Sequence, residues 1–165
     1  MKKPVFTFFL LIFLFNVNSI SSQSPDAEEL IKNINALLKE NPYRDDFQEI
    51  TFYYSVDVTP ENEFVVKLEF DGPFKTLFRS KFSDLNPVVQ NNPAMLPSTH
   101  LCWNCKSKDS KENNSCVYNE TIYDGGDKEV HTSANICVMF SNQKGVYNKL
   151  RNAFDQLFSE CTGKK

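Results

Sequence analysis

Five cysteines carry most of the chemical potential of this sequence, spaced Cys102-x2-Cys105-x10-Cys116-x20-Cys137-x23-Cys161. A thiol can become half of a disulfide, a nucleophile or a metal ligand, and its surroundings decide which. Five thiols form at most two bonds within one chain and leave one over. Cys105 and Cys116 flank the polar stretch KSKDSKENNS. A bond across that mouth closes a loop of about ten residues and stabilises by roughly 2–4 kcal/mol. Cys102 stands three residues before Cys105, so on a regular strand it points to the opposite face. Cys137 points away from Ile136, Val138 and Phe140, which makes Cys102–Cys137 a candidate cross-strand pair. Cys161 falls on a helical stripe with Leu150, Phe154 and Leu157 and reads as a buried free thiol.

Other chemistry is thinly supplied. Cys102-Trp103-Asn104-Cys105 is a C-x-x-C, the spacing of thiol oxidoreductases. Those enzymes place it at a helix N-terminus, where the dipole lowers the thiol pKa; here it sits in a strand-like run. His100, Cys102, Cys105 and Cys116, joined by His131, have the donor types for zinc but not a closed spacing pattern. Lys106 stands where covalent haem attachment wants histidine. Asp124-Gly125-Gly126-Asp127-x-Glu129 offers a few oxygens for calcium, and Asp45-Asp46 offers paired carboxylates; both read as solvated turns. Nucleophile-elbow, zinc-protease, phosphate-loop and dinucleotide fingerprints are missing. No cofactor and no resident metal are expected. Tyr53 and Trp103 are candidates to line a ligand face. Asn113-Asn114-Ser115 and Asn119-Glu120-Thr121 fit the N-glycosylation sequon, which matters only in a eukaryotic source.

The elements that must position these residues follow from periodicity. Ser24-Pro25-Asp26 opens a helix, with Asp26, Glu28 and Glu29 at its positive end. Ala27, Leu30, Ile31, Ile34, Leu37 and Leu38 share one face, and Pro42 stops the run, which predicts a helix over 25–40. The period then changes to two. Ile50, Phe52, Tyr54, Val56 and Val58 alternate with polar residues, and Phe64, Val66, Leu68 and Phe70 do the same after the turn at Thr59-Pro60-Glu61-Asn62. Asp71-Gly72 is a second turn, and Phe74 to Phe82 continues the alternation as a third strand. Residues 86–98, with three prolines, read as irregular. Shorter strands are expected over 100–105, 116–122, 128–132 and 134–140. Asn142 is expected to cap a last helix whose stripe is Val146, Tyr147, Leu150, Ala153, Phe154, Leu157, Phe158 and Cys161.

The first 22 residues are a different object. Met1-Lys2-Lys3 is a positive start, residues 4–15 are an apolar run, and 16–22 are small and polar. This is the pattern of a secretory signal peptide. Its apolar run spans about 18 Å as a helix, short of a bilayer core of about 30 Å. The expected division is therefore 1–22 signal peptide and 23–165 a single domain, exported to the periplasm or the extracellular space, with no membrane span left after cleavage. Removing Lys2 and Lys3 from the 18 basic residues leaves 16 against 21 acidic ones, a charge of −5. That balance argues against nucleic acid as a partner.

The chain resembles small exported proteins of Bacteroidetes-type bacteria. The likeness is carried by Met1-Lys2-Lys3 with its Ser-Gln cut site, by SKFSDLNP (80–87) and by KLRNAFDQLFSECTGKK (149–165). It implies a pleckstrin-homology-like sandwich, a fold that hosts many unrelated binding roles. The phosphoinositide site of true pleckstrin-homology domains needs a basic first hairpin. Here that turn is Thr59-Pro60-Glu61-Asn62-Glu63, which is acidic, so that role is rejected.

Together the expected fold is α+β: a strongly bent antiparallel sheet or sandwich of about six or seven strands, packed by an N-terminal and a C-terminal helix. The function expected is a non-enzymatic binding or protein-interaction module. A carrier of a small hydrophobic ligand and a thiol-redox protein using Cys102 and Cys105 are the alternatives.

Overall fold

The computed structural model describes residues 25–87, 98–106, 115–143 and 145–163. Residues 1–22, expected to be a signal peptide, and the sequon at Asn113 lie outside these residues. The chain runs α1 (Pro25–Glu40), β1 (Tyr43–Asp45), β2 (Ile50–Val58), β3 (Glu63–Phe70), β4 (Phe74–Lys81), a short 3-10 turn (Phe82–Asp84), β5 (Ser98–Asn104), β6 (Val117–Tyr123), β7 (Lys128–Ser133), β8 (Asn135–Ser141) and α2 (Val146–Thr162). Six strands form one antiparallel sheet in the order β1-β2-β3-β4-β6-β7, and β5 pairs with β8 in a second sheet. This is an α+β, sandwich-like architecture with one helix before the strands and one after them.

The first helix begins at Pro25 and ends two residues before Pro42, as its sequence signals dictate. Ala27, Ile34 and Leu38 are buried. The last helix differs from expectation at its start. It begins at Val146 after Gly145, whose φ of 74° suits a residue without Cβ. Asn142 still contributes, its Oδ1 accepting the Tyr147 N–H at 3.3 Å. Two strand details also differ. β1 is additional, paired with β2 through Tyr43 and Phe52, and Phe82 leaves β4 for the 3-10 turn, where it is buried. A three-residue strand is too short to show a period, which is why β1 escapes pattern reading.

Period-two alternation places the core. Tyr54, Val56 and Val58 of β2 and Phe64 and Val66 of β3 are buried on one face of the large sheet. Leu101 and Trp103 of β5 and Ile136, Val138 and Phe140 of β8 are buried on one face of the small sheet. Leu150, Phe154, Leu157 and Phe158 of α2 complete the cluster. Its centre is aromatic. Phe64 meets Phe82, Trp103, Phe154 and Phe158 at ring-centroid distances of 5.2–6.2 Å, and Trp103 stacks on Phe158 at 5.5 Å with the rings 7° apart.

Backbone junctions bind the sheets together at two places among the described residues. Ala134 alone separates β7 from β8, so the chain passes from one sheet to the other in a single residue, and its carbonyl accepts the Cys105 N–H at 2.8 Å. Beyond the end of β4, Leu85 forms an antiparallel bridge with Cys105. The outer edge of β2, past the end of β1, is closed by a side chain. Asn35 of α1 accepts the Val56 N–H at 2.8 Å and donates to the Val56 carbonyl at 2.9 Å. No described helix is long and apolar enough to cross a membrane.

Candidate binding site

The cysteines are placed first, because they decide what chemistry is left. Cys102 and Cys137 face each other across β5 and β8 and are disulfide-bonded, with Cα atoms 4.1 Å apart. That spacing belongs to a pair whose backbones do not hydrogen-bond directly. Cys105 and Cys116 form the second disulfide, and the Cys116 N–H also points at the Cys105 sulfur at 2.9 Å. The C-x-x-C therefore does not close on itself. Three residues of extended chain put Cys102 and Cys105 on opposite faces, and each finds its own partner. Four sulfurs held this way do not serve as zinc ligands, and among the described residues no cluster of three or more metal-binding side chains occurs. Cys161 is the free thiol and is half-buried. Burial, helped by the neighbouring Glu160 charge, pushes its pKa up to about 11. Its carbonyl accepts the Asn62 side-chain amide at 2.7 Å, tying the end of α2 to the β2–β3 turn.

The two aromatic candidates part company. Trp103 has no exposed surface. It does not line a ligand face, because Leu101, Trp103 and Cys105 share the inward parity of β5. Tyr53 lies on the outward parity of β2 and is 43% exposed. Asn119 sits mid-strand in β6 between Phe78 and His131, half-buried, with its Oδ1 out of reach of solvent. His100 and His131 are both exposed.

Tyr53 opens onto a cleft of about 820 Å³. It is walled by the end of α1, by β1 and the β1–β2 turn, and by the end of β8. The turn is built locally. Asp45 Oδ1 accepts the N–H groups of Phe47 and Gln48 at 2.9 and 3.1 Å, and Glu49 takes a left-handed φ of 57° to re-enter the sheet. This holds Phe47 out of the fold, 95% exposed. Arg44 and Asp46 pair beside it at 3.1 Å, and Asn41, Ser141 and Gln143 add hydrogen-bonding groups to the wall. Phe47, Arg44 and Gln143 escape a reading of the sequence alone. The signal available was a lone aromatic in the polar run Arg44-Asp45-Asp46-Phe47-Gln48-Glu49, two residues after an acid able to form an Asx turn.

From Tyr43, in the cleft wall, a row of rings crosses the sheet. Tyr43, Phe52, Phe70, Phe74 and Tyr123 come from β1, β2, β3, β4 and β6, with successive centroids 5.6, 5.4, 4.6 and 5.8 Å apart. All are half-buried. The turn between β3 and β4 passes so close to the Phe70 ring that a Cβ on Gly72 would run into it. A second hollow of about 420 Å³ lies at the far end, between Phe70, Phe74 and Tyr123. Comparison of the chain with family models, with curated proteins and with solved structures finds no match.

Proposed function

We propose that this protein is an exported, non-enzymatic binding module and that its binding surface is the cleft at the β1–β2 end of the sheet. The observation that carries this reading is Phe47, an aromatic side chain held 95% exposed by its own turn at the mouth of an 820 Å³ cleft. Phe47 and the exposed Tyr53 line the same cleft, and a concave surface that joins aromatic faces to a few polar groups is the kind a ligand or partner covers. Export is supported by the leader-like segment 1–22 and by two disulfides, which persist in oxidising compartments.

The lining joins aromatic faces to carboxylates, an arginine and side-chain amides. It suits a ligand that carries apolar surface and hydrogen-bonding groups together. A purely hydrocarbon ligand would want the space between sheet and helices, where the rings of Phe64, Trp103, Phe154 and Phe158 already pack.

The test is site-specific crosslinking in the native compartment. A photoreactive side chain at position 47 or 53 is expected to capture a partner, whereas one at exposed Lys39 on α1 is not. Equal capture at all three positions would count against the cleft.

A further inference from the structure

We infer that the outer edge of β7 is a self-association surface that pairs antiparallel with the same strand of a second copy, with Val130 on the two-fold axis. Every residue of β7 except Ser133 is exposed, and among the described residues no strand lies on its outer side. An edge of this kind presents unpaired N–H and C=O groups and is a template for another strand.

The register follows from the ladder to β6. The Tyr123 N–H donates to the Asp127 carbonyl at 2.9 Å. Antiparallel ladders alternate, so the bonded pairs fall on Thr121/Glu129 and Asn119/His131. The backbone groups of Lys128, Val130 and Thr132 therefore point to the open edge. A second β7 must match those residues to each other. With Val130 on the axis, Val130 faces Val130 and Lys128 faces Thr132, which satisfies the edge with about six backbone hydrogen bonds.

Side-chain pairing selects this register among those the backbone allows. It places each Glu129 opposite the His131 of the other copy, in the closely spaced kind of pair where side chains meet best. Shifting the axis to Glu129 sets two carboxylates face to face, and shifting it to His131 opposes two imidazoles. Within one chain Glu129 already approaches His131 at 3.7 Å and accepts the Tyr123 hydroxyl at 3.0 Å, so its carboxylate is held on the face the second copy's imidazole would meet. Val130, 51% exposed, gains cover at the axis.

The test is sedimentation equilibrium on the disulfide-intact protein from roughly 1 μM to 1 mM, the range suited to a small interface. The wild-type mass is expected to rise toward that of a dimer. Val130→Pro removes one N–H that points to solvent in the monomer, a change edge strands tolerate; it is expected to abolish the rise while leaving the melting temperature near wild type. His131→Glu, on an exposed side chain, is expected to abolish it too. The double variant Glu129→His with His131→Glu is expected to restore it, since the same pairs re-form with the partners exchanged. A wild type that stays monomeric, or a Val130→Pro variant that folds and dimerises like wild type, overturns the surface. A double variant that stays monomeric overturns the register. Should Val130→Pro fail to fold, the two charge variants decide.

Discussion

β7 and β8 are almost one piece of chain, divided only by Ala134, yet they belong to opposite kinds of environment. β8 buries Ile136, Val138 and Phe140 on one face and is bonded to β5 through Cys137 on the other. β7 has the same extended backbone and buries no residue fully. The difference is what lies on each strand. β8 packs its inward face against the aromatic cluster and α2, whereas among the described strands β7 pairs only with β6. Extended geometry by itself therefore says little about energy; the second surface packed on a strand supplies most of it.

Five changes probe this contrast. Phe154→Ala removes a ring that meets Trp103 at 4.7 Å under β5, and is expected to cost about 3–5 kcal/mol. Urea unfolding followed through the fluorescence of Trp103, the one tryptophan, reads it directly. A loss below about 1 kcal/mol would show that the core is centred elsewhere. Replacing Cys102 and Cys137 by alanine together opens a loop with a sequence separation of 35, and is expected to cost about 4 kcal/mol. An unchanged urea midpoint would contradict the bond's role in fixing β8.

Asn35→Ala tests the edge of β2 that a side chain closes. It leaves both backbone groups of Val56 without their partner, and about 1–3 kcal/mol should be lost. Hydrogen exchange at the Val56 amide should speed up selectively, and no change there would sink the explanation.

Glu120→Gln examines how β7 is attached to β6. Glu120 accepts Lys128 of β7 at 2.6 Å and pairs with Arg79 of β4 at 3.4 Å. The Lys128 hydrogen bond, with the charges of Lys128 and Arg79, holds the Glu120 carboxyl below the usual carboxylate range against an opposing effect of desolvation. A carboxyl with a lower folded pKa stabilises above its unfolded pKa, and that contribution is lost as pH falls through the folded value. Wild type should therefore exceed Glu120→Gln in stability near neutral pH, with the gap closing on acidification. A gap independent of pH would contradict this. The smallest effect belongs to Val130→Thr, expected within about 0.5 kcal/mol in the monomer; thermal melts at low concentration suffice to check it.

The alternation of Ile136, Val138 and Phe140 made β8's buried face legible in the sequence, as it did for β2 and β3. Cys102 and Cys137 were legible as partners because strand parity set Cys137 opposite the apolar face and Cys102 opposite Cys105. The cleft was not. Its wall draws on the end of α1, on β1 and on the end of β8, segments about a hundred residues apart, and pattern reading carries no information about which ends converge. Trp103 shows the converse limit: a large aromatic reads as a ligand contact or as core until its neighbours are known.

Helix limits from Pro25 and Pro42, strand faces from period two, the candidate pair Cys102–Cys137 from parity and the candidate pair Cys105–Cys116 from its flanking of a polar loop were all readable in the order of the residues. They depend on positions a few places apart, where backbone geometry is regular. Two outcomes waited on the assembled fold: Phe47 stands out at a cleft, and β7 ends the sheet of described strands while β8 enters the core. Those outcomes depend on which surfaces meet. Burial of apolar surface contributes most to folding, and it is a property of the whole chain once packed.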